Sequence, residues 1–358
     1  MKIKIDMKKF AAWFDDRLAL TPIFKYMTHK EVPQHEHSFW YYTGSSILLF
    51  LAIQIVTGIM LALYYRPTLE GATASIERIM TELPLGWLVR SVHSWGATFM
   101  IAFVLVHLLA IWFTKSYRKP REATWMTGMM LLVVSMMFGF TGYLLPWDDL
   151  SLAATKVGTN IPAAIPVVGK WVTQFLRGGD DVTGDTLTRF FIFHVCVMPL
   201  ILFAILAIHV LLVQKEGMSI PLKDELAKKK VPSLPFWPNF VLREVVIWLV
   251  LFGVFMTIAL AFAPSLGPTA DLMAPAPEGV KPEWYFLFLF QTLKIFPANM
   301  GPVTGEFVAV IIIVITVVII FFLPFIDNKP EGKKGKVFQY LGIIGVIYAI
   351  VFSIWSLL

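Results

Sequence analysis

Four of the seven histidines lie inside long apolar stretches of the chain, where a polar side chain is costly and needs a partner or a function. They are His93 and His107 in the second stretch, and His194 and His209 in the fourth. In an α-helix, His93 and His107 are 14 residues apart and lie on nearly the same face, about 21 Å apart along the axis. His194 and His209 are 15 residues apart, about 60° from each other around the axis but still on one side.

If the second and fourth helices run parallel, the first histidine of one faces the first of the other. His93 then pairs with His194, and His107 pairs with His209. Two imidazoles facing each other across a bundle form the axial ligand set of a low-spin haem iron. The spacing therefore predicts two bis-histidine b-type haems, one above the other. The alternative is four unrelated core histidines, each bonded to a backbone carbonyl.

Glycines repeat at the same interval in the neighbouring stretches. Gly44 and Gly58 are 14 residues apart, and so are Gly128 and Gly142. Glycine inside a helix costs up to about 1 kcal/mol relative to alanine. It is useful where a flat macrocycle must approach the backbone, so these glycines are expected at the haems. The alternative is ordinary packing of helices through small residues.

Four cations lie close to the paired histidines in the sequence. Arg90 precedes His93, Arg189 precedes His194, and Lys115 and Arg118 follow the second apolar stretch. Because arginine pairs well with carboxylates, these cations are predicted to bind haem propionates. The alternative is that they reach from the bilayer edge toward water.

A carboxylate followed by aromatic residues occurs next to an apolar run, as Pro282-Glu283-Trp284-Tyr285. Oxidising a quinol requires an aromatic slot for its ring and an acceptor for its phenolic protons. A partly desolvated Glu283 would have a raised pKa, suited to accepting a proton near neutrality. The alternative is an interfacial anchor whose carboxylate faces water.

The elements that must hold these residues are membrane helices. The 358 residues are 57% hydrophobic and only 15% charged, too few charges for the surface of a soluble protein of this size. Seven apolar stretches of 19–24 residues contain no Lys, Arg, Asp or Glu, and each can cross a core of about 30 Å. They run near 45–65, 91–113, 126–145, 190–213, 245–263, 307–325 and 337–358. We predict an all-α integral membrane protein whose first four of seven transmembrane helices form a dihaem four-helix bundle.

The basic residues predict the orientation. Of the 30 Lys and Arg, 21 lie in the N-terminal segment and in the loops after the second, fourth and sixth stretches. These parts should face the cytoplasm, the negative (n) side, so the opposite loops face the positive (p) side. The N-terminus has no signal-peptide pattern. It predicts an amphipathic interfacial helix with Phe10, Trp13, Phe14 and Leu18 on one face.

Changes in amino-acid composition divide the chain into four parts. We expect an N-terminal segment at 1–44, a dihaem domain at 45–213, a Lys- and Pro-rich cytoplasmic linker at 214–243, and a three-helix domain at 244–358. The long p-side loops are expected to form short interfacial helices that roof a pocket. Cys196 is the single cysteine, so no CxxCH attachment for a c-type haem exists.

Together these residues resemble the cytochrome b family of quinol oxidoreductases. The motifs that carry the resemblance are the paired histidines, the spaced glycines, GYLLPWD (142–148), NIPAAIPVVG (160–169), LTRFFIFH (187–194) and PEWYF (282–286). The 15-residue histidine interval, YYRPT (64–68), TELPLGWLVRSVH (81–93) and KPRE (119–122) resemble the b6 type. Residues 1–220 are similar to cytochrome b6, and residues 221–358 to the three-span subunit IV, here fused in one chain. Such fusion is typical of bacteria, which implies the bacterial cytoplasmic (inner) membrane.

The resemblance implies a p-side quinol site with Glu283 and Tyr285 as catalytic residues and Pro282, Trp284, Phe286 and Gly158 in the quinone pocket. It implies a Rieske iron–sulfur protein and a c-type cytochrome subunit as partners, an n-side quinone site, proton translocation, and a homodimeric complex that does not bind nucleic acid. One electron of the quinol would go to the Rieske protein and the other through the haems to the n side. Weak candidates for the n-side site are Asp15, Asp16 and Lys215.

One residue departs from the b6 pattern. Where b6 has a cysteine that holds an extra haem by a thioether, this chain has Tyr41. A covalent third haem is therefore not expected. Two other interpretations stay open on the residues alone: a dihaem membrane anchor of a dehydrogenase, and a haem-free transporter or structural subunit.

Overall fold

The fold is almost entirely helical. The computed structural model describes residues 7–275, 277–327 and 332–358. Its α-helices are α1 (Met7–Leu18), α2 (Leu20–His29), α3 (Tyr42–Ala62), α4 (Ala72–Thr81), α5 (Gly86–Phe113), α6 (Glu122–Leu144), α7 (Asp149–Asn160), α8 (Gly169–Arg177), α9 (Gly184–Ile192), α10 (Met198–Glu216), α11 (Leu222–Leu226), α12 (Val241–Ala261), α13 (Leu287–Lys294), α14 (Gly305–Phe321), α15 (Leu323–Ile326) and α16 (Gly332–Leu357).

Six helical segments of the described chain are long and apolar enough to cross a membrane. They are Ser38–Ala62, Gly86–Phe113, Glu122–Leu144, Gly184–Glu216, Phe236–Ala261 and Gly335–Leu357. The seventh predicted span corresponds to α14, whose 17 residues rise about 26 Å, less than a typical hydrocarbon core. This helix ends early because Phe322 leaves the helical conformation and Pro324 cannot extend the backbone ladder. A seventh crossing at α14 stays a prediction.

The helices that carry the histidines pack in pairs. Helix α3 lies along α5, α6 lies along α10, and α5 also contacts α6 and α12. Phe50 of α3 and Phe255 of α12 are fully buried against α5, with ring centroids 5.4 Å apart in an edge-to-face contact. Leu51 of α3 packs against Val134 and Met198, which belong to α6 and α10. The four predicted bundle helices are therefore neighbours.

Two small antiparallel strand pairs correct the all-α prediction. Strands β1 (Glu31–Pro33) and β2 (Ser233–Pro235) pair with each other, and so do β3 (Asn299–Met300) and β4 (Val303–Thr304). Prolines at the ends of β1 and β2 keep that pair short, because proline donates no ladder hydrogen bond. The β1–β2 pair places the predicted N-terminal segment against the predicted linker at 214–243.

Short helices form in the segments where the sequence predicts interfacial helices. Helix α1 forms over Met7–Leu18, and Phe10, Trp13 and Leu18 are about half exposed. Helices α7 and α8 lie within the loop after the third predicted span, and α9 begins the segment Gly184–Glu216 that carries the fourth. Their helical structure confirms the prediction of structured loops. Their position at a membrane surface stays a prediction.

A buried ionic cluster joins the loop after α5 to the C-terminal helices. Lys115 Nζ lies 3.6 Å from Asp327 Oδ2, and the two side chains are 6% and 1% exposed. The Tyr117 hydroxyl donates to the same carboxylate at 2.7 Å, and Lys115 also donates to the Gly335 carbonyl at 2.7 Å. Burial lowers the pKa of Lys115, while Asp327 acts in the opposite direction. Asp327 therefore stabilises a charge that would otherwise be costly at this position.

Replacing Asp327 with Asn should destabilise the protein by about 3–5 kcal/mol, because it removes a buried carboxylate charge that lies 3.6 Å from the buried Lys115 ammonium group. The free energy of unfolding in detergent measures this effect. Glu82→Gln is the matched control: Glu82 pairs with Arg78 at 3.3 Å, but the side chains are 67% and 50% exposed. That substitution should cost about 0.5 kcal/mol or less. Equal costs for the two variants would contradict the account of the buried cluster.

Candidate cofactor and substrate sites

The histidines of α5 come together with those that follow α9. His93 faces His194, with ring centroids 6.3 Å apart and ring planes at 72°. A metal–nitrogen bond of about 2 Å on each side, plus half a ring on each, gives a similar separation for two axial imidazoles. His107 and His209 are close enough to interact electrostatically. His93 and His194 thus face each other as the sequence predicts, and their separation fits two axial imidazoles, whereas the ligation itself stays a prediction.

Each of the four predicted glycines lies against one histidine ring. A methyl group added at Gly142 would lie 2.7 Å from His194 Cε1, and one at Gly58 would lie 3.2 Å from His93 Cε1. The corresponding distances are 3.2 Å for Gly128 and His209, and 3.4 Å for Gly44 and His107. Helix α3 thus supports both histidines of α5, and α6 supports His194 and His209. A larger residue at Gly142 would displace its histidine.

A threonine precedes each of these glycines, and the sequence analysis overlooked all four. Their Oγ1 atoms lie 2.9–3.0 Å from histidine Nδ1 atoms. The pairs are Thr43 with His107, Thr57 with His93, Thr127 with His209, and Thr141 with His194. The signal was visible in the sequence, because the dipeptide Thr-Gly occurs four times at the spacing already noted for glycine.

A π-helical turn explains the unequal histidine intervals. Between α9 and α10, residues Phe193–Val197 form a π-helix that contains His194. Pro199 follows at the start of α10 and has no N–H, so the regular α pattern is interrupted here. A π-turn absorbs about one extra residue. An interval of 15 residues thereby places His194 and His209 much as an interval of 14 places His93 and His107.

The four predicted propionate cations have protein partners. Arg90 donates to the carbonyls of Pro264 and Ser265 at 2.6 and 3.1 Å, which ties α5 to the segment after α12. Arg189 donates to the Phe175 carbonyl at 3.1 Å. Lys115 belongs to the buried ionic cluster, and Arg118 pairs with Glu225. These contacts give each cation a structural role, and propionate binding stays a prediction.

Arg121 is a cation that the sequence analysis passed over. Its Nε donates to the Gly217 carbonyl at 3.3 Å, while its Nη1 is buried and has no hydrogen-bond partner among the described residues. A buried unpaired guanidinium nitrogen is costly and needs an acceptor. The residue lies in KPRE (119–122), which was noted above only as part of the resemblance.

The PEWY segment packs into the bundle at the level of His194. Tyr285 is buried, and a methyl group added at Gly139 would lie 2.5 Å from its hydroxyl oxygen. Gly139 is three residues, less than one turn of α6, from Gly142. Glu283 precedes a short 3-10 helix at Trp284–Phe286, and Pro282 is half-buried while Trp284 is 40% exposed. This segment therefore adjoins one of the two histidine pairs.

An aromatic cluster surrounds this segment. Phe286 lies edge-on to Phe140 at 6.5 Å, and its centroid is 4.8 Å from that of Tyr285. Gly158 of α7 lies against the Phe140 ring, so close that a side chain there would overlap it. The structure therefore brings Gly158, Tyr285 and Phe286 to one aromatic cluster, as expected for residues of one pocket.

Electrostatics sets Glu283 apart from exposed carboxylates. Burial raises the pKa of Glu283 above its ordinary value, which makes its carboxylate a better proton acceptor near neutral pH. Burial also raises the pKa of Tyr285, and the negative charge of Glu283 raises it further. Tyr285 therefore stays protonated and can donate a hydrogen bond.

The weak n-side candidates are not brought together by their described contacts. Asp15 accepts from the Thr21 amide at 2.5 Å, Asp16 pairs with Arg17, and Lys215 pairs with Glu216. Tyr41 instead lies in a small polar cluster: its hydroxyl donates to the Ser219 carbonyl at 2.5 Å and contacts His35 Nε2 at 2.5 Å. Tyrosine has no thiol to form a thioether.

Comparison with known proteins shows to which family the chain belongs. The family model described as cytochrome b/b6/petB matches residues 27–217, and the one described as cytochrome b (C-terminal)/b6/petD matches residues 269–357. A cytochrome bc complex cytochrome b subunit of Chlorobaculum thiosulfatiphilum is 43% identical over 343 residues, covering 95% of this chain and 79% of that protein. The chain belongs to the cytochrome b family.

Two further relatives agree with this assignment. Cytochrome b6 of Stigeoclonium helveticum is 43% identical over 216 residues, which cover 60% of this chain and 100% of that protein. A chain of a hyperthermophilic respiratory Complex III has a TM-score of 0.87 and 30% identity, covering 97% of this chain and 91% of its own length. The prediction of a b6-like part fused to a subunit-IV-like part is confirmed. As a cytochrome b, the chain is a multi-pass subunit of a bc-type complex and takes part in quinol-linked electron transfer.

We expect Gly139→Ala to destabilise the protein by about 1–3 kcal/mol, because the added methyl group overlaps Tyr285 and Ile101. Tyr285→Phe removes the nearest atom, so the alanine should cost less in that background. Unfolding of the two single variants and the double variant measures the coupling. Gly253→Ala is the control, since no neighbouring atom of the described residues lies within 4 Å of a methyl group added there. A cost for Gly139→Ala equal to the control, or independent of Tyr285, would show that Gly139 does not position the tyrosine.

Proposed function

We propose that this cytochrome b oxidises quinol beside the His93–His194 pair. One electron of the quinol goes to a Rieske iron–sulfur protein and the other crosses the membrane to an n-side quinone site, with protons released on the p side. The observation that carries the proposal is the position of Tyr285. Tyr285 contacts α6 at Gly139, three residues from Gly142, which supports His194. A substrate held by the PEWY segment would thus lie next to an electron acceptor.

The residues of the PEWY segment have distinct roles. The aromatic cluster of Phe140, Tyr285 and Phe286 accepts the flat quinol ring. Glu283 accepts a phenolic proton, which its raised pKa favours. The Tyr285 hydroxyl stays protonated and orients a quinol oxygen. The exposed Trp284 lies at the edge of this cluster, and Gly158 leaves room for Phe140.

Two b-type haems, held by His93 with His194 and by His107 with His209, supply one-electron carriers at two depths when they are bound. The glycines and threonines of α3 and α6 fix the rings of these histidines. The levels of His93 and His107 are about 21 Å apart along α5. In this proposal the chain has seven transmembrane helices, the first four of which form the dihaem bundle. Its N-terminus lies in the cytoplasm of a bacterium, which the basic loops support.

The chain works in this proposal as part of a complex with a Rieske protein and a c-type cytochrome, as a homodimer. Support comes from its similarity to a cytochrome b subunit of a bc complex and to a respiratory Complex III chain. The n-side quinone site is proposed near Tyr41, where the polar cluster with His35 and the unpaired Arg121 nitrogen lie on the side of the basic loops. The absence of a thiol at Tyr41 supports two haems without a covalent third.

Glu283→Gln should slow quinol oxidation about 10- to 100-fold. A general base typically contributes about 100- to 10,000-fold, and we expect the smaller effect because water can partly replace Glu283 as the proton acceptor. The rate of the unchanged protein should rise with pH through the raised pKa of Glu283, since only the carboxylate accepts the proton. That dependence should disappear in the variant. Quinol oxidation by the purified complex, measured across pH, tests both expectations.

Glu278→Gln is the matched control for this substitution. Glu278 is an exposed carboxylate in the same loop, so its loss should leave the rate and the pH profile unchanged. Both haems should remain in both variants. Unchanged turnover and an unchanged pH profile in Glu283→Gln would refute the role of Glu283.

A further inference from the structure

The four threonine hydroxyls at the histidine rings share a second contact. Each Oγ1 also lies 2.7–3.0 Å from a backbone carbonyl three or four residues earlier in the chain. These carbonyls belong to Trp40 for Thr43, Ile53 for Thr57, Ala123 for Thr127 and Met137 for Thr141. The same three-atom chain of histidine nitrogen, hydroxyl oxygen and helix carbonyl therefore occurs four times.

The number of available protons decides which atom donates in each row of three hydrogen-bonded atoms when the histidine Nε2 binds a metal. A hydroxyl has one proton to donate, and a carbonyl oxygen can only accept. A neutral imidazole that binds metal through Nε2 carries its proton on Nδ1, which then needs an acceptor. The hydroxyl fills that role if its own proton goes to the helix carbonyl. All three atoms are then satisfied, and Nε2 keeps its lone pair for the iron.

The arrangement also aims the rings. The hydrogen bond between His93 and Thr57 links α5 to α3, and the adjacent Gly58 lets the His93 ring lie close to the α3 backbone. The ring is held at one edge by the hydroxyl and on one side by the glycine. The neighbouring pair Thr141 and Gly142 on α6 does the same for His194.

We propose that Thr43, Thr57, Thr127 and Thr141 are positioning residues that fix each histidine as the tautomer with a proton on Nδ1, orient its ring, and increase its electron donation to the haem iron. This inference rests on the proposed function, because it assumes that the histidines bind haem. A hydrogen bond from the non-ligating nitrogen increases the basicity of the ligating one, which stabilises the ferric state. The threonines therefore help to set the reduction potentials of the two haems.

The test uses the purified complex with a redox titration of each haem and its low-spin EPR signal. Thr57→Val replaces the hydroxyl at His93 with a methyl group of similar size, and Thr43→Val does the same at His107. Thr57→Ser and Thr43→Ser retain the hydroxyl. Thr257→Val is the control, because Thr257 makes the same bond to a carbonyl of its own helix, Gly253 at 2.9 Å, in a membrane segment without a histidine partner.

Thr57→Val should raise the midpoint potential of one haem and change its EPR signal, and Thr43→Val should do so for the other haem only. Both serine variants and Thr257→Val should behave like the unchanged complex. If a valine variant loses its haem while the matching serine variant keeps it, the hydroxyl is again shown to hold the ligand.

Unshifted potentials and EPR signals in valine variants that retain both haems would overturn this inference. Equal effects of serine and valine would overturn it too, because the methyl packing rather than the hydroxyl would then matter. A colourless unchanged complex would overturn the proposed function together with this inference. Two normal haems with unaffected valine variants would overturn this inference alone.

Discussion

The structure depends on how it accommodates four imidazoles at membrane depth. A ring there needs a partner for each nitrogen, because no water is available to supply one. The protein provides one partner from the neighbouring helix, a threonine hydroxyl at Nδ1 of every ring. The remaining Nε2 atoms can then be used by a metal. The position of each helix in the bundle follows from this need, since α3 must lie along α5 and α6 along α10.

The second constraint is the close approach of histidine and tyrosine side chains to the helix backbone, which glycine permits. The four glycines next to the threonines lie against the histidine rings. Gly139, on α6, leaves room for the Tyr285 hydroxyl. Helix α6 thus contacts His194 through Gly142 and the PEWY segment through Gly139, within one turn of each other. The carboxylate of Glu283 stays partly buried at the edge of this region, where burial raises its pKa. In the proposed mechanism, the substrate and the cofactor therefore lie along one surface of α6.

Much of this arrangement could be predicted from the sequence because the signals are periodic. Apolar stretches without charge predict membrane helices, and intervals of 14 and 15 residues predict which histidines meet. The π-turn at His194 could not be predicted from the interval alone, since it depends on where the backbone absorbs the extra residue. The partners of Arg90 and Lys115 were also missed, because the carbonyl of Pro264 and the carboxylate of Asp327 are more than 170 residues away in the chain. The early end of α14 depends on Pro324, which the hydropathy pattern did not register.

The most direct test is a count of b-type haem in the purified complex, by extraction and by the reduced-minus-oxidised spectrum. We expect two haems per chain, and one fewer in His194→Leu with the spectrum of the other haem retained. A complex without haem would contradict the account, and so would a His194→Leu variant that retains both.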